Sequence, residues 1–147
     1  YPDLVSEFDV DPNLREVKIP NFILQPIVEN SLLHGLKSVN YKGKIKISVK
    51  RDPENEHDII IKISDNGIGD AKKIQQLLHD CISGNSTNNS EGGVSKSEHI
   101  GVKNIQERLK LFYPKGYGIR YVDNEDRGVT AIIRIRDSVK SDYNNTL

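Results

Sequence analysis

The sequence is short of several residue types, and each shortage narrows the classes of protein that fit. It has one cysteine, Cys81, which excludes an internal disulfide and favours a reducing compartment. Its 21 basic residues are balanced by 21 acidic residues, so it lacks the basic excess that favours a nucleic-acid or membrane-surface partner. No apolar run approaches the roughly 20 residues that a membrane-spanning helix needs.

Methionine is also absent. Because the sequence begins with Tyr1 and contains no Met, we expect it to be one part of a longer protein. Its 147 residues suit a single domain with a substantial core. We expect that domain to occupy residues 1–136 and a polar tail to follow at 137–147.

Apolar residues recur at alternate positions in some stretches and at helical spacing in others, which predicts strands and helices respectively. The predicted strands are 4–10, 44–50, 58–64, 117–123 and 129–136, and the predicted helices are 21–36, 70–82 and 101–113. The first helix would stop at Gly35 and would bury Leu24, Ile27, Val28, Ser31 and Leu32. The third would bury Val102, Ile105, Leu109 and Phe112. This order predicts an α+β fold in two layers, with helices covering one face of a mixed, mostly antiparallel sheet.

Residues 83–98 differ from the rest of the sequence, because Val94 is the one apolar residue among them. A polar loop of this length is uncommon inside a compact domain and often serves as a functional lid. A solvated insertion without a function is the alternative.

An acidic residue and two glycines come directly after the strand predicted at 58–64. The sequence Asp65-Asn66-Gly67-Ile68-Gly69 favours a simple turn. The alternative is a nucleotide site, in which Asp65 accepts a hydrogen bond from the exocyclic amine of adenine and the glycines permit close backbone approach. A carboxylate in that role would reject guanine, which presents a carbonyl oxygen at the same edge.

The first predicted helix carries two polar residues beside its buried stripe. Asn30 and His34 lie one turn apart on the same face. The amide oxygen of Asn30 is a suitable ligand for a Mg²⁺ ion that bridges to nucleotide phosphates. His34 would line the pocket and would not bind the metal, because Mg²⁺ prefers oxygen. The alternative is that both residues are ordinary surface residues.

Two further stretches carry weaker signals. Residues 98–104 place Gly101 at the start of the third predicted helix, where exposed N–H groups and the helix dipole suit a phosphate, and Lys103 could add charge. An ordinary helix start is the alternative there. Residues 126–130, Asp-Arg-Gly-Val-Thr, predict by themselves only a hairpin turn before the last strand.

Together, these four stretches resemble the ATP-binding domain of sensor histidine kinases, which belongs to the Bergerat-fold superfamily. Residues 19–35, with Leu-Gln-Pro-Ile-Val-Glu-Asn at 24–30 and His-Gly at 34–35, are similar to the LytS/YesM type of two-component kinase. Residues 99–109, His-Ile-Gly-Val-Lys-Asn-Ile-Gln-Glu-Arg-Leu, carry the same resemblance. It covers about residues 5–136.

The resemblance implies roles for the matching residues. Asn30 would bind Mg²⁺, and Glu29 beside it would have a weaker, polarising role. Asp65 would read adenine. Residues 83–98 would form the ATP lid. The remaining nucleotide-binding residues would be His34, Gly67, Gly69, Gly101, Val102, Lys103, Asn104 and Thr130.

Three departures from the family pattern affect the expected chemistry. His99 stands where many relatives have the first glycine of the second glycine box, and Thr130 lies one position later than the threonine of the final box. Pro26 occupies the position, one helical turn before Asn30, at which the related ATPases carry a water-activating acid. We therefore expect little ATP hydrolysis, which favours a kinase over an ATPase.

The resemblance implies transfer of the ATP γ-phosphate to a histidine in the kinase's own dimerisation region, for relay to a response regulator. In family members that histidine precedes this domain, so we expect it to lie outside the chain. The full-length protein would be a homodimeric, membrane-bound bacterial sensor with this domain in the cytoplasm. The alternatives are an ATPase or an anti-sigma-type serine kinase on the same fold, or a degenerate nucleotide-binding interaction module.

Overall fold

The computed structural model describes residues 3–37, 39–83, 100–113 and 116–137, apart from the side chains of residues 81–83, 100–103 and 108. Most of the predicted lid and nearly all of the predicted tail, residues 84–98 and 138–147, therefore lie outside the described residues. Among the helices that are described, none is long and apolar enough to cross a membrane.

The domain is built on a five-stranded sheet with the strand order β1-β2-β3-β5-β4. The strands are β1 (Val5–Val10), β2 (Lys44–Asp52), β3 (Asn55–Asp65), β4 (Gly118–Asp123) and β5 (Val129–Arg136). Strand β1 pairs with β2 in parallel, and the three other pairings are antiparallel. The mixed, mostly antiparallel sheet predicted from the alternating apolar residues is therefore confirmed.

The described residues include three α-helices beside the sheet: α1 (Leu24–Asn30), α2 (Ala71–Ser83) and α3 (Ile100–Phe112). Alternate residues of the strands are buried on one face, as the period of two requires. They form one core with apolar residues of the helices, including Ile61, Ile63, Ile133, Ile135, Ile27, Leu78, Ile105 and Leu109. This arrangement confirms the predicted α+β class.

The first helix is shorter and less regular than the predicted 21–36. Phe22 has a φ of 61°, which a right-handed helix does not tolerate, so α1 begins after it. After Asn30 the chain continues as a wider π-helical turn, Ser31–Gly35. That turn ends the helical segment one residue before Leu36, in agreement with the predicted stop at Gly35.

The prediction that Phe112 is buried was wrong, because its side chain is 57% exposed. Tyr113 fills that place in the core, and its ring centroid lies 5.7 Å from that of Tyr117. Both Phe112 and Tyr113 come within about one turn of Leu109, so helical periodicity alone does not distinguish them.

Candidate functional site

The side chain of Asp65, at the end of β3, is the centre of the site and is 4% exposed. Its Oδ2 accepts a hydrogen bond of 2.8 Å from the hydroxyl of Ser31. Its Oδ1 accepts one of 2.9 Å from the backbone N–H of Gly67 and a longer one of 3.4 Å from that of Val129. A carboxylate has about four acceptor directions, so these bonds fix Asp65 and still leave it able to accept from a ligand.

Glycines let three backbone segments meet around Asp65. A Cβ at position 67 would overlap the carbonyl oxygen of Gly35, which accepts a hydrogen bond of 3.1 Å from the N–H of Ile68. Gly128 has a φ of 82°, and a Cβ there would overlap the carbonyl oxygen of Asp65. The end of the helical segment, the turn after β3 and the turn before β5 therefore pack together without intervening side chains.

Asn66 attaches the turn after β3 to the start of β2. Its Oδ1 accepts a hydrogen bond of 2.8 Å from the N–H of Lys44, and its Nδ2 donates one of 3.0 Å to the carbonyl of Lys42. The hydroxyl of Tyr41 donates to the carbonyl of Asn66 at 2.7 Å, and the guanidinium of Arg127 lies 4.5 Å from the centre of the Tyr41 ring. These contacts hold the turn after β3 against the start of β2 and against the residues that precede β2.

Asn30, the predicted metal ligand, is the last residue of α1 and directly precedes Ser31, which contacts Asp65. Its side chain is half-buried and makes no hydrogen bond to cap the turn that follows. His34 is exposed. Glu29 is also exposed and accepts a hydrogen bond of 2.8 Å from Nε2 of Gln25. Asn30 is therefore half-buried next to Ser31 in the chain, whereas Glu29 is exposed, and the role of Asn30 as a metal ligand remains a prediction.

The predicted phosphate-binding residues lie in the first turns of α3. Gly101, Val102 and Lys103 are helical, but their side chains lie outside the described part of the chain. Asn104 is exposed. The position of these residues at a helix N-terminus agrees with the sequence prediction, whereas their contacts remain a prediction.

Thr130 does not share the face of the sheet on which Asp65 lies. It pairs in register with Ser64, and side chains alternate between the two faces along a strand. Its hydroxyl lies 2.9 Å from Oγ of Ser64 and donates to Oδ1 of Asn124 at 2.6 Å. The residue of the last strand that reaches the carboxylate is Val129, through its N–H.

Sequence reasoning missed Ser31 and Tyr121. Ser31 was assigned only to the buried stripe. Tyr121 is half-buried on β4, where it pairs with Ala131, a small residue that separates it from β3. Burial, and to a lesser degree the nearby Asp65 carboxylate, raise the pKa of the Tyr121 phenol well above its usual range. The one sequence signal for Tyr121 is its spacing of two residues from Ile119, which predicts that both side chains lie on the same face of the sheet as Asp65.

Comparisons with known proteins show which family the chain resembles. Residues 21–139 match the family model described as histidine kinase-, DNA gyrase B- and HSP90-like ATPase. The chain is 31% identical over 117 residues to the sensor histidine kinase YpdA of Escherichia coli (79% of this chain, 18% of YpdA). It is 30% identical over 129 residues to the sensor protein LytS of Oceanobacillus iheyensis (87% of this chain, 20% of LytS).

Among the solved structures with a similar fold are two histidine kinase domains. One is the histidine kinase domain of the blue-light activated histidine kinase EL346 of Erythrobacter litoralis, with a TM-score of 0.59, 12% identity, and coverage of 94% of this chain and 54% of that one. The other is the histidine kinase domain of the E. coli osmosensor EnvZ, with a TM-score of 0.56, 20% identity, and coverage of 97% and 81%.

The chain spans less than half the length of the curated relatives that it matches. The family model, in contrast, covers most of the chain, including the helical segment with Asn30 and the turn with Asp65. The chain therefore belongs to the family of histidine kinase-, DNA gyrase B- and HSP90-like ATPases.

Proposed function

We propose that this chain is the ATP-binding catalytic domain of a two-component sensor histidine kinase of the LytS/YesM type. The single observation that carries this proposal is the buried carboxylate of Asp65, which three hydrogen bonds hold in one orientation within a cluster of glycines. The similarity to the sensor histidine kinase YpdA and to the sensor protein LytS supports the choice of this member of the family.

Asp65 would recognise adenine through its exocyclic amine. The carboxylate already accepts from Ser31, Gly67 and Val129, which fixes the direction in which it can accept a further hydrogen bond. Guanine would place a carbonyl oxygen against a buried carboxylate with no proton between them. A site built around a fixed polar group rejects such a partner strongly, because the buried group is then left unpaired.

The residues present fit a magnesium ion that arrives together with the nucleotide. Asn30, which directly precedes Ser31 in the chain, offers an amide oxygen on a half-buried side chain that does not cap the next turn. Among the described residues there is no cluster of three or more His, Cys, Asp or Glu side chains that could hold a metal ion. Magnesium commonly takes few protein ligands, with phosphates and water completing its shell, and it would neutralise phosphate charge.

In the proposed reaction, a histidine nitrogen attacks the γ-phosphorus, the bond from that phosphorus to the bridging oxygen breaks, and ADP leaves. The domain contributes by holding the base at Asp65 and the phosphates near Asn30 and the start of α3, so that the γ-phosphate is presented in a fixed direction. His34, Gly67, Gly69, Gly101, Val102, Lys103 and Asn104 would complete the nucleotide site.

Hydrolysis of ATP by water is the less favoured reaction. Pro26 stands one turn before Asn30, where the related ATPases have an acid that activates water. Glu29 is the neighbouring acid, but it is exposed and accepts a hydrogen bond from Gln25. A nucleotide-binding module without catalysis is the second candidate, because Thr130 is turned away from the face of Asp65.

The partners of the whole protein are part of the same proposal. The phosphate acceptor would be a histidine in an upstream dimerisation region of a homodimer, and a response regulator would receive the phosphate. The domain would lie on the cytoplasmic side of a membrane-bound sensor. The described histidines of this chain are all exposed: His34 lies in the π-helical turn after α1, His57 on β3 and His79 on α2.

Labelling with γ-labelled Mg·ATP tests the proposal. The isolated chain is expected to bind ATP and to acquire no label, whereas the same domain joined to its upstream region is expected to form an acid-labile, alkali-stable phosphohistidine. Asn30→Asp should abolish that label, and His57→Gln, an exposed substitution on β3, should not. Phosphohistidine on the isolated chain, or full labelling of the Asn30→Asp protein, would contradict the proposal.

A further inference from the structure

Asn124, which follows β4, makes an unusual set of contacts at the edge of the site. Strands β3 and β4 are not neighbours, because β5 lies between them. The side chain of Asn124 nevertheless reaches β3, where its Nδ2 donates to the carbonyl oxygen of Asp65 at 2.7 Å and lies 3.1 Å from Oγ of Ser64. One side chain therefore connects the ends of three strands.

The remaining contacts fix the Asn124 side chain itself. Its Oδ1 accepts a hydrogen bond of 2.6 Å from the hydroxyl of Thr130 on β5, and its Nδ2 lies 3.3 Å from the carbonyl oxygen of Arg127. Its backbone N–H donates to the carbonyl of Gly128 at 3.0 Å, which closes the turn before β5. Because both ends of the amide are engaged, its orientation relative to Asp65 is set.

The contact with Asp65 lies where the strand pairing stops. The ladder between β3 and β5 ends at the pair Ser64 and Thr130, so Asp65 is one residue beyond it. The Asn124 amide supplies a donor to the carbonyl of Asp65 at that point. The direction of the Asp65 side chain depends on its own backbone, so a shift of this carbonyl would turn the carboxylate away from Ser31 and Gly67.

We propose that Asn124 is a positioning residue for base recognition: it holds the backbone of Asp65 so that the carboxylate points at the exocyclic amine of the nucleotide base. This inference rests on the proposed function of Asp65 as the adenine-reading residue. Asn124 does not itself contact the nucleotide in this account. It sets how strongly the site distinguishes a base that carries the amine from one that lacks it.

A matched control lies at the opposite end of the sheet. Asp58, which is 2% exposed, accepts hydrogen bonds of 2.8 Å from the hydroxyl of Tyr117 and from Nε of Arg134. Like Asn124, Asp58 and its two partners connect β3 with β5 and with a residue next to β4, but they do so at the other end of the β3–β5 ladder. Tyr117→Phe removes one hydrogen bond there without touching Asp65.

The test compares the affinity of the full chain for Mg·ATP with its affinity for the Mg complex of purine riboside triphosphate, which lacks the amine. Calorimetry would be run on the wild type, Asn124→Ala and Tyr117→Phe, with melting temperatures measured in parallel. We expect Asn124→Ala to lower the ratio of the two affinities about tenfold, the equivalent of one positioned hydrogen bond. Tyr117→Phe should lower the melting temperature and leave the ratio unchanged.

A variant that keeps Asn124 covers the case in which Asn124→Ala does not fold. Thr130→Val removes the hydroxyl that orients the Asn124 amide, and we expect it to lower the ratio by about threefold. If Asn124→Ala folds and its affinity ratio is unchanged, the role of Asn124 is overturned and that of Asp65 is not. If only Thr130→Val folds, an unchanged ratio in that variant has the same meaning. A wild-type chain that binds both nucleotides equally, or neither, would overturn the proposed role of Asp65 and this inference with it.

Discussion

At the scale of single residues, the site depends on hydrogen-bond donors that orient the Asp65 carboxylate before any ligand is present. Ser31 looks like one more member of a buried helical stripe in the sequence, yet its hydroxyl donates to Oδ2 of Asp65 at 2.8 Å. That hydrogen bond links the helical segment with Asn30 to the strand with Asp65. A serine in a stripe of leucine, isoleucine and valine is compatible with either a core or a site role, so only the tertiary contact identifies it.

Ser31→Ala is expected to lower both the free energy of unfolding and the affinity for Mg·ATP. The substitution leaves an oxygen of the buried Asp65 without one of its donors, which costs about 1–3 kcal/mol. Urea denaturation and calorimetry measure the two effects. Ser6→Ala on β1, where the serine is exposed, is the control and should change neither quantity. A Ser31→Ala chain as stable as the wild type would show that this hydrogen bond contributes nothing.

The phenol of Tyr121 is expected to make the stability of the domain depend on pH in the alkaline range. The folded protein raises the pKa of its phenol, chiefly by burial, above the value of about 10 in the unfolded chain. The neutral phenol therefore contributes stability that is complete below about pH 10 and is lost as the pH rises towards the folded pKa. The loss can reach about 1.4 kcal/mol per pH unit.

Urea denaturation at about pH 9 and about pH 11 tests this dependence. The free energy of unfolding of the wild type should fall more between the two values than that of Tyr121→Phe, which cannot ionise. Other tyrosines and the lysines titrate in both proteins, so the difference isolates Tyr121. Equal losses in the two proteins would mean that the phenol ionises as readily in the folded chain as in the unfolded one.

At the scale of elements, the site is formed where the π-helical turn after α1, the turn after β3 and the turn before β5 converge. The sequence predicts all five strands within a few residues, because each has an alternating apolar pattern. It also predicts that Gly67 allows a close approach. It does not identify Gly35 and Gly128 as the other two members, since their contacts depend on how the segments pack.

Gly67→Ala is expected to destabilise the domain by about 3 kcal/mol or more, because its Cβ would overlap the backbone of Gly35 and force two segments apart. Affinity for Mg·ATP should fall with it. Gly116→Ala is a suitable control: Gly116 has a φ of 106°, but a Cβ there meets no described atom within 4 Å. That control measures the cost of an unfavourable φ alone. If the two variants had equal stabilities, the steric account of Gly67 would be wrong.

Register explains where the sequence prediction of the site is incomplete. Thr130 was assigned to the nucleotide site from the resemblance, although it lies one position later than the threonine of the final glycine box, and its pairing with Ser64 places it on the face opposite Asp65. Phe112 was predicted in the core by its period, yet Tyr113 occupies that place. In both cases neighbouring positions satisfied the local pattern, and long-range pairing or ring packing decided between them.

At the scale of the whole molecule, the chain belongs to the family of histidine kinase-, DNA gyrase B- and HSP90-like ATPases, and it covers less than half the length of its curated relatives. The sequence singles out Asp65 and Asn30 because their residue types suit the adenine and magnesium roles proposed for them. It does not indicate the supporting contacts of Ser31, Asn66 and Asn124, since each joins residues more than 20 positions apart.

The most direct test of the central claim is calorimetric titration of the chain with Mg·ATP and with Mg·GTP, for the wild type and for Asp65→Asn. The wild type should prefer ATP by at least about tenfold, because guanine carries a carbonyl oxygen in place of the amine that Asp65 is proposed to recognise. Asp65→Asn, shown by circular dichroism to be folded, should lose that preference. Equal affinity of the wild type for the two nucleotides, or an unchanged preference in Asp65→Asn, would contradict the account.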